Sequence, residues 1–355
     1  MSDGGLQLEG VDVRFGTAAG LRGLTLQVAA GERVALLGPS GAGKTSLLRV
    51  IAGLDPLAGG RVIVGGIDVS SVTPDRRRTV YLHQNPSLFT HLSVVDNVAF
   101  PLEVRGVERR QARRQATELL ARVHLDGFAL RRAGGLSGGQ RHRVALARAL
   151  AAQPHVLLLD EPFSALDPSL RAEVREAVMA LLDDRGPATI VVTHDIDEAA
   201  QFADRLAVLL DRRITQFAPP GEVLCHPASL RVARFLGIPN IIAGASDGTG
   251  RFESPIGSVP AGSHAGPGLL VGRADAFLAT RAPAGRGIAR VEAFVERVGG
   301  TWLWVRAGAA RVLASEAGDA RLAVGDSVEI TIFPDRVHVL PPESDSVTED
   351  VPRVR

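Results

Sequence analysis

Lysine is almost absent from this chain: of its 40 lysine and arginine residues, Lys44 alone is a lysine. Because arginine carries every other positive side-chain charge, position 44 is expected to require the compact ammonium group, which a planar guanidinium does not replace. Cysteine is just as scarce, since Cys225 is the single one. One thiol excludes an internal disulfide and a cysteine-rich metal cluster. We expect an ordinary cysteine in a reducing compartment rather than a nucleophile.

Long apolar runs and an excess of charge of one sign are also lacking. No stretch approaches the about 20 apolar residues that a membrane-spanning helix needs. The opening residues 1–5 have neither the basic nor the apolar region of a secretion signal. A formal net charge of +1 gives no reason to expect binding to nucleic acid or to an anionic membrane surface. We therefore expect a cytoplasmic protein that depends on other subunits for any membrane spans.

The length of 355 residues indicates two domains. Up to about Gly237, short β-branched runs alternate with longer helical patterns, which is typical of an α/β domain with a largely parallel sheet. The runs 33–37, 156–160 and 189–193 predict buried central strands. The arginine-rich segment 105–122 has helical spacing, and we interpret its charges as a solvated helical face rather than a nucleic-acid patch.

The remainder of the chain has a different texture. Glycine, proline, serine and alanine crowd 243–268, which indicates a loose connection with a short strand or two. Alternating runs then predict a small all-β barrel or sandwich over 238–341, followed by a disordered tail over 342–355. The predicted strands are 269–273, 288–298, 302–306, 311–314, 327–333 and 336–340.

A phosphate-binding string follows the first buried strand and opens a helix predicted over 46–52. Its glycines let backbone N–H groups turn toward phosphate oxygens, and the positive end of the helix adds a favourable field. Lys44 is expected to reach the β- and γ-phosphates, and the Thr45 hydroxyl to ligate Mg²⁺. The expected nucleotide-binding residues here are Gly38, Pro39, Ser40, Gly41, Ala42, Gly43, Lys44, Thr45 and Ser46.

Three further polar side chains follow buried strands. Asp160 ends the run 156–160, which places a carboxylate at the edge of the sheet where ligands bind, and we expect it to hold Mg²⁺ through water. Glu161 comes next and is placed to act as the general base toward water. His194 follows the run 189–193, and its position favours a γ-phosphate sensor that pairs with Glu161 over an ordinary surface histidine.

The string Leu136-Ser137-Gly138-Gly139-Gln140, just before a helical run over 141–151, is the most specific one in the chain. With the motifs above, it closely resembles the signature of ABC-type ATPases over residues 6–237. Gln84 resembles the family's Q-loop glutamine, and Ser164-Ala165-Leu166-Asp167 resembles its D-loop. His194 resembles the switch histidine, and Phe15 occupies the place of the aromatic residue that stacks on adenine.

This resemblance implies a P-loop NTPase domain with a helical subdomain that binds ATP and Mg²⁺, with Thr45, Gln84 and Asp160 at the metal. Lys44, Gln84, Glu161 and His194 would be catalytic. Two copies would pack head-to-tail, so that the signature of one closes over the γ-phosphate held by the other. The signature residues in contact with nucleotide would be Ser137, Gly138, Gly139 and Gln140, joined by Asp167 of the D-loop.

The implied partners are a second copy, two membrane-spanning permease subunits and, indirectly, an external solute-binding protein. The chain would then lie peripherally on the cytoplasmic face of the inner membrane. Segment 87–100 resembles the surface that receives a helix of the membrane subunit, or it is ordinary core of the helical subdomain. The apolar residues expected to form that groove are Phe89, Leu92, Val94, Val95 and Val98.

The β-rich end resembles the OB-like TOBE accessory domain of importer ATPases for oxyanions such as sulfate or molybdate, ferric iron, polyamines or sugars. Two stretches differ from the family's usual pattern. Arg273-Ala274-Asp275 stands where many relatives carry Arg-Pro-Glu. Arg141-His142-Arg143 stands for the commoner Gln-Gln-Arg, and we expect that difference to be a surface change without consequence.

Other classes of protein remain as alternatives to an importer subunit. A soluble ABC ATPase of translation or DNA repair usually has two tandem cassettes or a coiled-coil insertion, and this chain has neither. An exporter subunit would lack the β-rich accessory domain. A regulatory protein with an inactive site would lack Lys44, Glu161 or His194, all of which are present.

Overall fold

The computed structural model describes residues 5–15, 18–164, 168–182, 186–246, 248–262, 264–283, 289–297, 300–316 and 322–342. Asp167 and the predicted tail beyond Pro342 lie outside these residues. Contacts divide the chain into two units, Met1–Pro220 and Gly221–Arg355. Each unit encloses a hydrophobic core of its own. The division falls before the boundary expected at Gly237, which stays a prediction until activity is measured on truncated chains.

The first unit alternates strands and helices along the chain. Its strands are β1 (Leu6–Phe15), β2 (Ala18–Val28), β3 (Arg33–Leu37), β4 (Gly59–Val64), β5 (Ile67–Asp68), β6 (Thr79–Leu82), β7 (Val156–Asp160), β8 (Ala188–Val192), β9 (Arg205–Leu210) and β10 (Arg213–Ala218). Its helices are α1 (Lys44–Ala52), α2 (Val94–Val104), α3 (Arg109–Arg122), α4 (Gly138–Ala151), α5 (Pro168–Leu181) and α6 (Ile196–Phe202).

A mostly parallel sheet carries the site. Its described strands lie in the order β10-β9-β3-β8-β7-β6, and every neighbouring pair except β10–β9 is parallel. Every residue of β7 and β8 is buried, as expected for strands covered on both faces. The predicted α/β class is therefore confirmed, and the three central strands predicted from their apolar runs lie within one residue of their observed bounds.

A second, antiparallel sheet in the order β2-β1-β4-β5 packs into the same core. In β1, Leu6, Leu8, Val11 and Val13 are buried while residues between them are less buried. Such alternation is typical of a sheet with one solvated face.

Helices α2, α3 and α4 pack together as a helical subdomain. On α3, Ala112, Ala116 and Leu120 are buried at a spacing of four, which is one face of a helix. The arginines of the other face are exposed, as Arg109 and Arg114 illustrate with side chains 69% and 73% accessible. The predicted solvated helical face is therefore confirmed.

The second unit begins with two short helices, α7 (Pro220–Cys225) and α8 (Leu230–Phe235). The first residue of α7, Pro220, is the last residue of the first unit. All its further long elements among the described residues are strands. They are β11 (Asn240–Ser246), β12 (Arg251–Ser254), β13 (Gly257–Pro260), β14 (Gly266–Gly272), β15 (Phe277–Arg281), β16 (Ala289–Arg297), β17 (Gly300–Ala307), β18 (Ala310–Glu316), β19 (Ser327–Ile332) and β20 (Val337–Leu340).

Strands β15-β18-β17-β16-β19 close into a barrel, and β13-β12-β11-β14-β20 form an antiparallel sheet. The barrel confirms the predicted small OB-like β domain. The stretch 243–268, expected to be a loose connection with a short strand or two, holds β12, β13 and most of β11, and β15 was not predicted. Glycine and proline hide the first three from sequence analysis, because they weaken strand propensity although the backbone of these residues still pairs with neighbouring strands.

In the described part of the chain, no helix combines the length and the apolarity needed to cross a bilayer.

Candidate nucleotide site

The phosphate-binding loop joins the end of β3 to the start of α1. Gly41 and Gly43 have φ angles of +78° and +97°, which side chains rarely adopt. A Cβ atom at Gly38 would lie 2.6 Å from the carbonyl oxygen of Leu209. Glycine at these three positions therefore lets the backbone turn tightly enough to present N–H groups to an anion.

Lys44 is the first residue of α1 and is 8% accessible. Its Nζ donates to the carbonyl oxygens of Gly38 at 2.7 Å and Pro39 at 3.0 Å, which keeps the ammonium inside the loop. Burial lowers the pKa of Lys44, and the nearby carboxylates of Glu161 and Asp160 oppose that shift. The residue is thus a point charge held at the place where a phosphate would enter.

Asp160 lies behind the loop at the end of β7 and is 8% accessible. The Thr45 hydroxyl donates to its Oδ1 at 3.1 Å, and the Tyr81 hydroxyl donates to its Oδ2 at 2.7 Å. A hydroxyl and a carboxylate at this spacing form the hard-oxygen donor set that Mg²⁺ prefers. The residues present therefore fit the predicted metal.

Tyr81 was missed by the sequence analysis. It is the only tyrosine of the chain and lies on β6, the strand next to β7. Burial, followed by the hydrogen bond to Asp160, raises the pKa of its hydroxyl above the ordinary range, so this hydroxyl stays a donor. The occurrence of a single tyrosine was the one signal in the sequence, because the contact between Tyr81 and Asp160 joins residues 79 positions apart.

Glu161 has a φ angle of +46°, an uncommon conformation for a residue with a side chain. Two hydrogen bonds hold this conformation. The Glu161 N–H donates to the Val192 carbonyl at 2.9 Å, and the Glu161 carbonyl accepts from the Ser164 hydroxyl at 2.9 Å. In this conformation the Glu161 carboxylate faces His194, whose Nδ1 lies 3.6 Å from Glu161 Oε2. The predicted proximity of Glu161 and His194 is thus present in the structure.

Gln84 follows β6 and reaches the same turn. Its Nε2 donates to the Ser164 hydroxyl at 2.9 Å. The amide nitrogen of Gln84 makes this bond, so the bond does not use the amide oxygen, which is the atom that would coordinate Mg²⁺.

A cavity of about 660 Å³ opens over the loop. The predicted site residues that line it are Phe15, Ser40, Gly41, Gly43, Lys44, Thr45, Ser46, Glu161 and His194, together with Arg14 and Asp55. Phe15 lies against Gly43, where a Cβ would come within 2.2 Å of its ring. Ala42 instead packs into the core behind the loop.

The signature residues do not line this cavity, although all four are among the described residues. Ser137 is the N-cap of α4 and is exposed. Its hydroxyl accepts from the N–H of Gln140 at 3.3 Å, and the Gln140 side chain accepts from the N–H of Ser137 at 3.0 Å. This capping box holds Gly138 and Gly139 in the first turn of a well-formed helix.

The expectation of a surface change over 141–143 was wrong for His142, which is one of the two residues that differ from the usual Gln-Gln-Arg. Arg141 is exposed, but His142 and Arg143 are 7% and 6% accessible. His142 bonds the Gln84 carbonyl, and Arg143 donates to the Val123 carbonyl at 3.0 Å and pairs with Glu173 at 2.9 Å. The error arose because α4 is covered on most sides by its neighbours.

A second cavity, of about 880 Å³, lies beside the segment after Gln84. Of the five apolar residues expected to form a groove here, Phe89 lines it. Val94, Val95 and Val98 are buried in the subdomain core instead, because they lie on the inward face of α2. The exposed face of α2 supplies Phe100 and Val104, which are 40% and 70% accessible.

Comparison with known proteins agrees with this geometry. Residues 21–164 match the family model described as ABC transporter. A sulfate/thiosulfate import ATP-binding protein of Burkholderia pseudomallei is 42% identical over 352 residues, covering 94% of this chain and 100% of the relative. An Fe(3+) ions import ATP-binding protein of Streptomyces avermitilis is 44% identical over 270 residues, which is 76% of this chain and 78% of the relative.

The fold and the site define an ABC-type ATPase. The chain belongs to the ATP-binding, ATP-hydrolysing subunits of ABC transporters of the import type. The soluble non-transport and exporter alternatives are not favoured by these relatives.

Replacing Lys44 with arginine should abolish detectable ATP binding although it keeps the charge. The longer, planar guanidinium does not fit the enclosed position between the Gly38 and Pro39 carbonyls. Calorimetric titration with ATP measures the change, and thermal unfolding checks that the variant is folded. Affinity close to that of the unmodified protein would contradict the argument from the single lysine.

Replacing Tyr81 with phenylalanine should lower kcat by about three- to tenfold and raise the Mg²⁺ concentration needed for half-maximal rate. The change removes one hydrogen bond to a charged carboxylate, which is worth about 1.5–3 kcal/mol when buried and less in this half-buried place. The ring and its contact with His83 are retained. An unchanged Mg²⁺ dependence would mean that Tyr81 does not position Asp160.

Proposed function

We propose that two copies of this chain hydrolyse ATP at two shared sites, each made by the phosphate loop of one copy and the signature turn of the other. One observation carries this proposal: the cavity over the loop contains Lys44 and Glu161 but none of the signature residues. The signature turn is an exposed, capped helix start, which is a second anion-binding element. A single chain therefore has two half-sites for phosphate.

The roles of the residues follow from their positions. The loop N–H groups and Lys44 bind the phosphates, and Phe15 lies at the mouth where the adenine base would stack. Glu161 is held by its turn to accept a proton from the attacking water, which makes it the general base. His194 orients that carboxylate and senses the γ-phosphate.

Thr45, Asp160 and Gln84 would hold Mg²⁺, which when bound neutralises charge on the phosphate oxygens. Ser137, Gly138, Gly139, Gln140 and Asp167 of the partner copy's equivalent segments would complete the shell around the γ-phosphate. Donors arranged in advance around a developing charge lower the barrier without reorganisation.

The partners proposed are two membrane-spanning permease subunits at the cytoplasmic face of the inner membrane and an external solute-binding protein. The cavity beside α2 supports this assignment, because Phe89, Phe100 and Val104 give it apolar walls and Arg105 and Arg148 line it as well. A helix with an apolar face and acidic residues at its rim would fit such a groove. ATP-driven closure and hydrolysis-driven reopening would then move the permease.

We propose sulfate or thiosulfate as the transported solute. The support is a relative named for these anions that aligns over its whole length, including the β-rich unit. The Fe(3+) relative aligns over a smaller share of the chain.

Replacing Glu161 with glutamine should leave ATP binding intact and lower kcat by about 10²- to 10⁴-fold, because the amide cannot accept the proton of water. With ATP and Mg²⁺ the variant should elute from a sizing column as a dimer. The matched control adds Ser137→Arg, which blocks the signature turn and should restore the monomer. A Glu161→Gln protein that stays monomeric at saturating ATP would contradict the shared site.

Reconstitution of the chain with its own permease subunits, identified by affinity purification, should give ATPase activity that rises with solute-loaded binding protein. Sulfate or thiosulfate should raise the rate at least about fivefold over the unloaded binding protein, since only the liganded form favours the closed transporter. Ferric iron and a polyamine are the comparison solutes. Stimulation by one of these instead would overturn the solute assignment and leave the ATPase proposal intact.

A further inference from the structure

We propose that His142 is a positioning residue for ATP hydrolysis, which ties the signature helix α4 to Gln84 and, through Gln84 and Ser164, to the turn that carries Glu161. This inference rests on the proposed ATPase site and deepens it. It assigns a role to one of the two residues at which the chain departs from the family's usual glutamines.

The first contacts in this connection are those of the His142 ring. Its Nε2 lies 2.8 Å from the carbonyl oxygen of Gln84, and its Nδ1 lies 3.1 Å from the carbonyl oxygen of Gly138, one turn earlier on α4. The residue is 7% accessible, so water does not readily replace a lost contact. The ring thus connects the first turn of α4 to the backbone of a segment 58 positions away.

The connection continues from the backbone of Gln84 to its side chain. Gln84 Nε2 donates to the Ser164 hydroxyl at 2.9 Å, and that hydroxyl donates to the Glu161 carbonyl at 2.9 Å. The turn at Glu161 has a positive φ angle, so its conformation depends on such contacts. A series of hydrogen bonds made by the side chains of His142, Gln84 and Ser164 therefore links α4, by way of the Gln84 backbone, to the backbone of Glu161.

A second contact holds the same segment to the same helix. Arg148 of α4 donates to the Ser87 carbonyl at 2.6 Å, and its guanidinium lies 5.3 Å from the Phe89 ring centre. The segment 84–87 is thus fixed to α4 at two points, the carbonyls of Gln84 and Ser87.

The consequence concerns the two nucleotides of the proposed dimer. The signature turn at the start of α4 contacts the nucleotide held by the partner copy, whereas Gln84 and Glu161 act on the chain's own nucleotide. His142 is the link by which closure over one ATP positions the catalytic residues at the other. Such coupling is established by measuring non-additivity rather than by proximity.

The test compares His142→Gln with His142→Asn in the full chain. A glutamine amide reaches the place of Nε2 and can still donate to the Gln84 carbonyl, whereas an asparagine amide reaches only the place of Nδ1. We expect His142→Asn to lower kcat about tenfold with KM for ATP changed by less than about twofold, since the residue does not touch the phosphate loop. His142→Gln should retain at least about half of the rate.

Ser164→Ala breaks the same series at a second point without altering α4. It should also lower kcat, and the double variant His142→Asn/Ser164→Ala should lie within about twofold of the more impaired single variant, because both changes break one connection. The matched control is Arg122→Gln, which removes a side-chain bond from α3 to the Ala180 carbonyl of α5. Arg122→Gln should leave kcat within about twofold of that of the unmodified chain. In the double variant with His142→Asn, the two effects on kcat should multiply, because the changes are independent.

Hydrogen exchange of the backbone amides of 83–88, measured without nucleotide, gives a readout independent of activity. Exchange should be faster in His142→Asn and unchanged in His142→Gln and Arg122→Gln. Equal impairment of the Gln and Asn variants, full activity of Ser164→Ala, or a double variant that multiplies the single effects would each overturn the proposal. If the unmodified chain does not hydrolyse ATP, the proposed function fails, while the exchange experiment still decides whether His142 holds the segment.

Discussion

The carboxyl ends of three neighbouring parallel strands bring together most of the groups on which the site depends. β3 leads into the phosphate loop, β7 ends at Asp160, and β8, which lies between them, leads to His194. In the register of β7 and β8, Asp160 is opposite Val192, whose carbonyl also accepts the N–H of Glu161. Ligands bind at this edge of open α/β sheets because the loops diverge there. A register shift of one residue between β7 and β8 would separate the base from its histidine.

The same constraint explains which parts could be predicted from the sequence. Strands such as 33–37 and 156–160 are buried on both faces, so their runs of apolar residues identify them directly, and the polar residues that follow must share one edge. Tyr81 and His142 could not be found in this way, because their roles depend on partners that only the packed fold supplies. The burial of α4 on several sides also could not be read from a segment in which arginine and histidine stand among alanines.

The β-rich unit illustrates a different limit of sequence reasoning. The alternation in β16 to β18 is strong enough to predict strands within one or two residues for most of their ends. β11 to β13 contain glycine, serine and proline, whose propensity argues against strands. Backbone pairing among these three strands, and of β11 with β14, overrides it. The roles of Thr45, Gln84 and Asp160 at Mg²⁺, and those of the signature residues, remain predictions because they concern groups contributed from outside the chain.

The electrostatics of the cavity bear on the proposal that a partner copy completes the site. Lys44 is buried beside two carboxylates, Asp160 and Glu161, which oppose the effect of burial on its pKa. Lys44, Arg14 and one helix start would face the several negative charges of a nucleoside triphosphate, and further N–H donors would add to the stabilisation of the γ-phosphate in its transition state. The start of α4, where the exposed Ser137 caps the helix and Gly138 is partly exposed, would supply further N–H donors without adding a charged side chain. Because that surface is absent from the chain's own cavity, two-fold symmetry is the simplest way to complete the site, and this is the basis of the proposal that each copy contributes its helix start to the other.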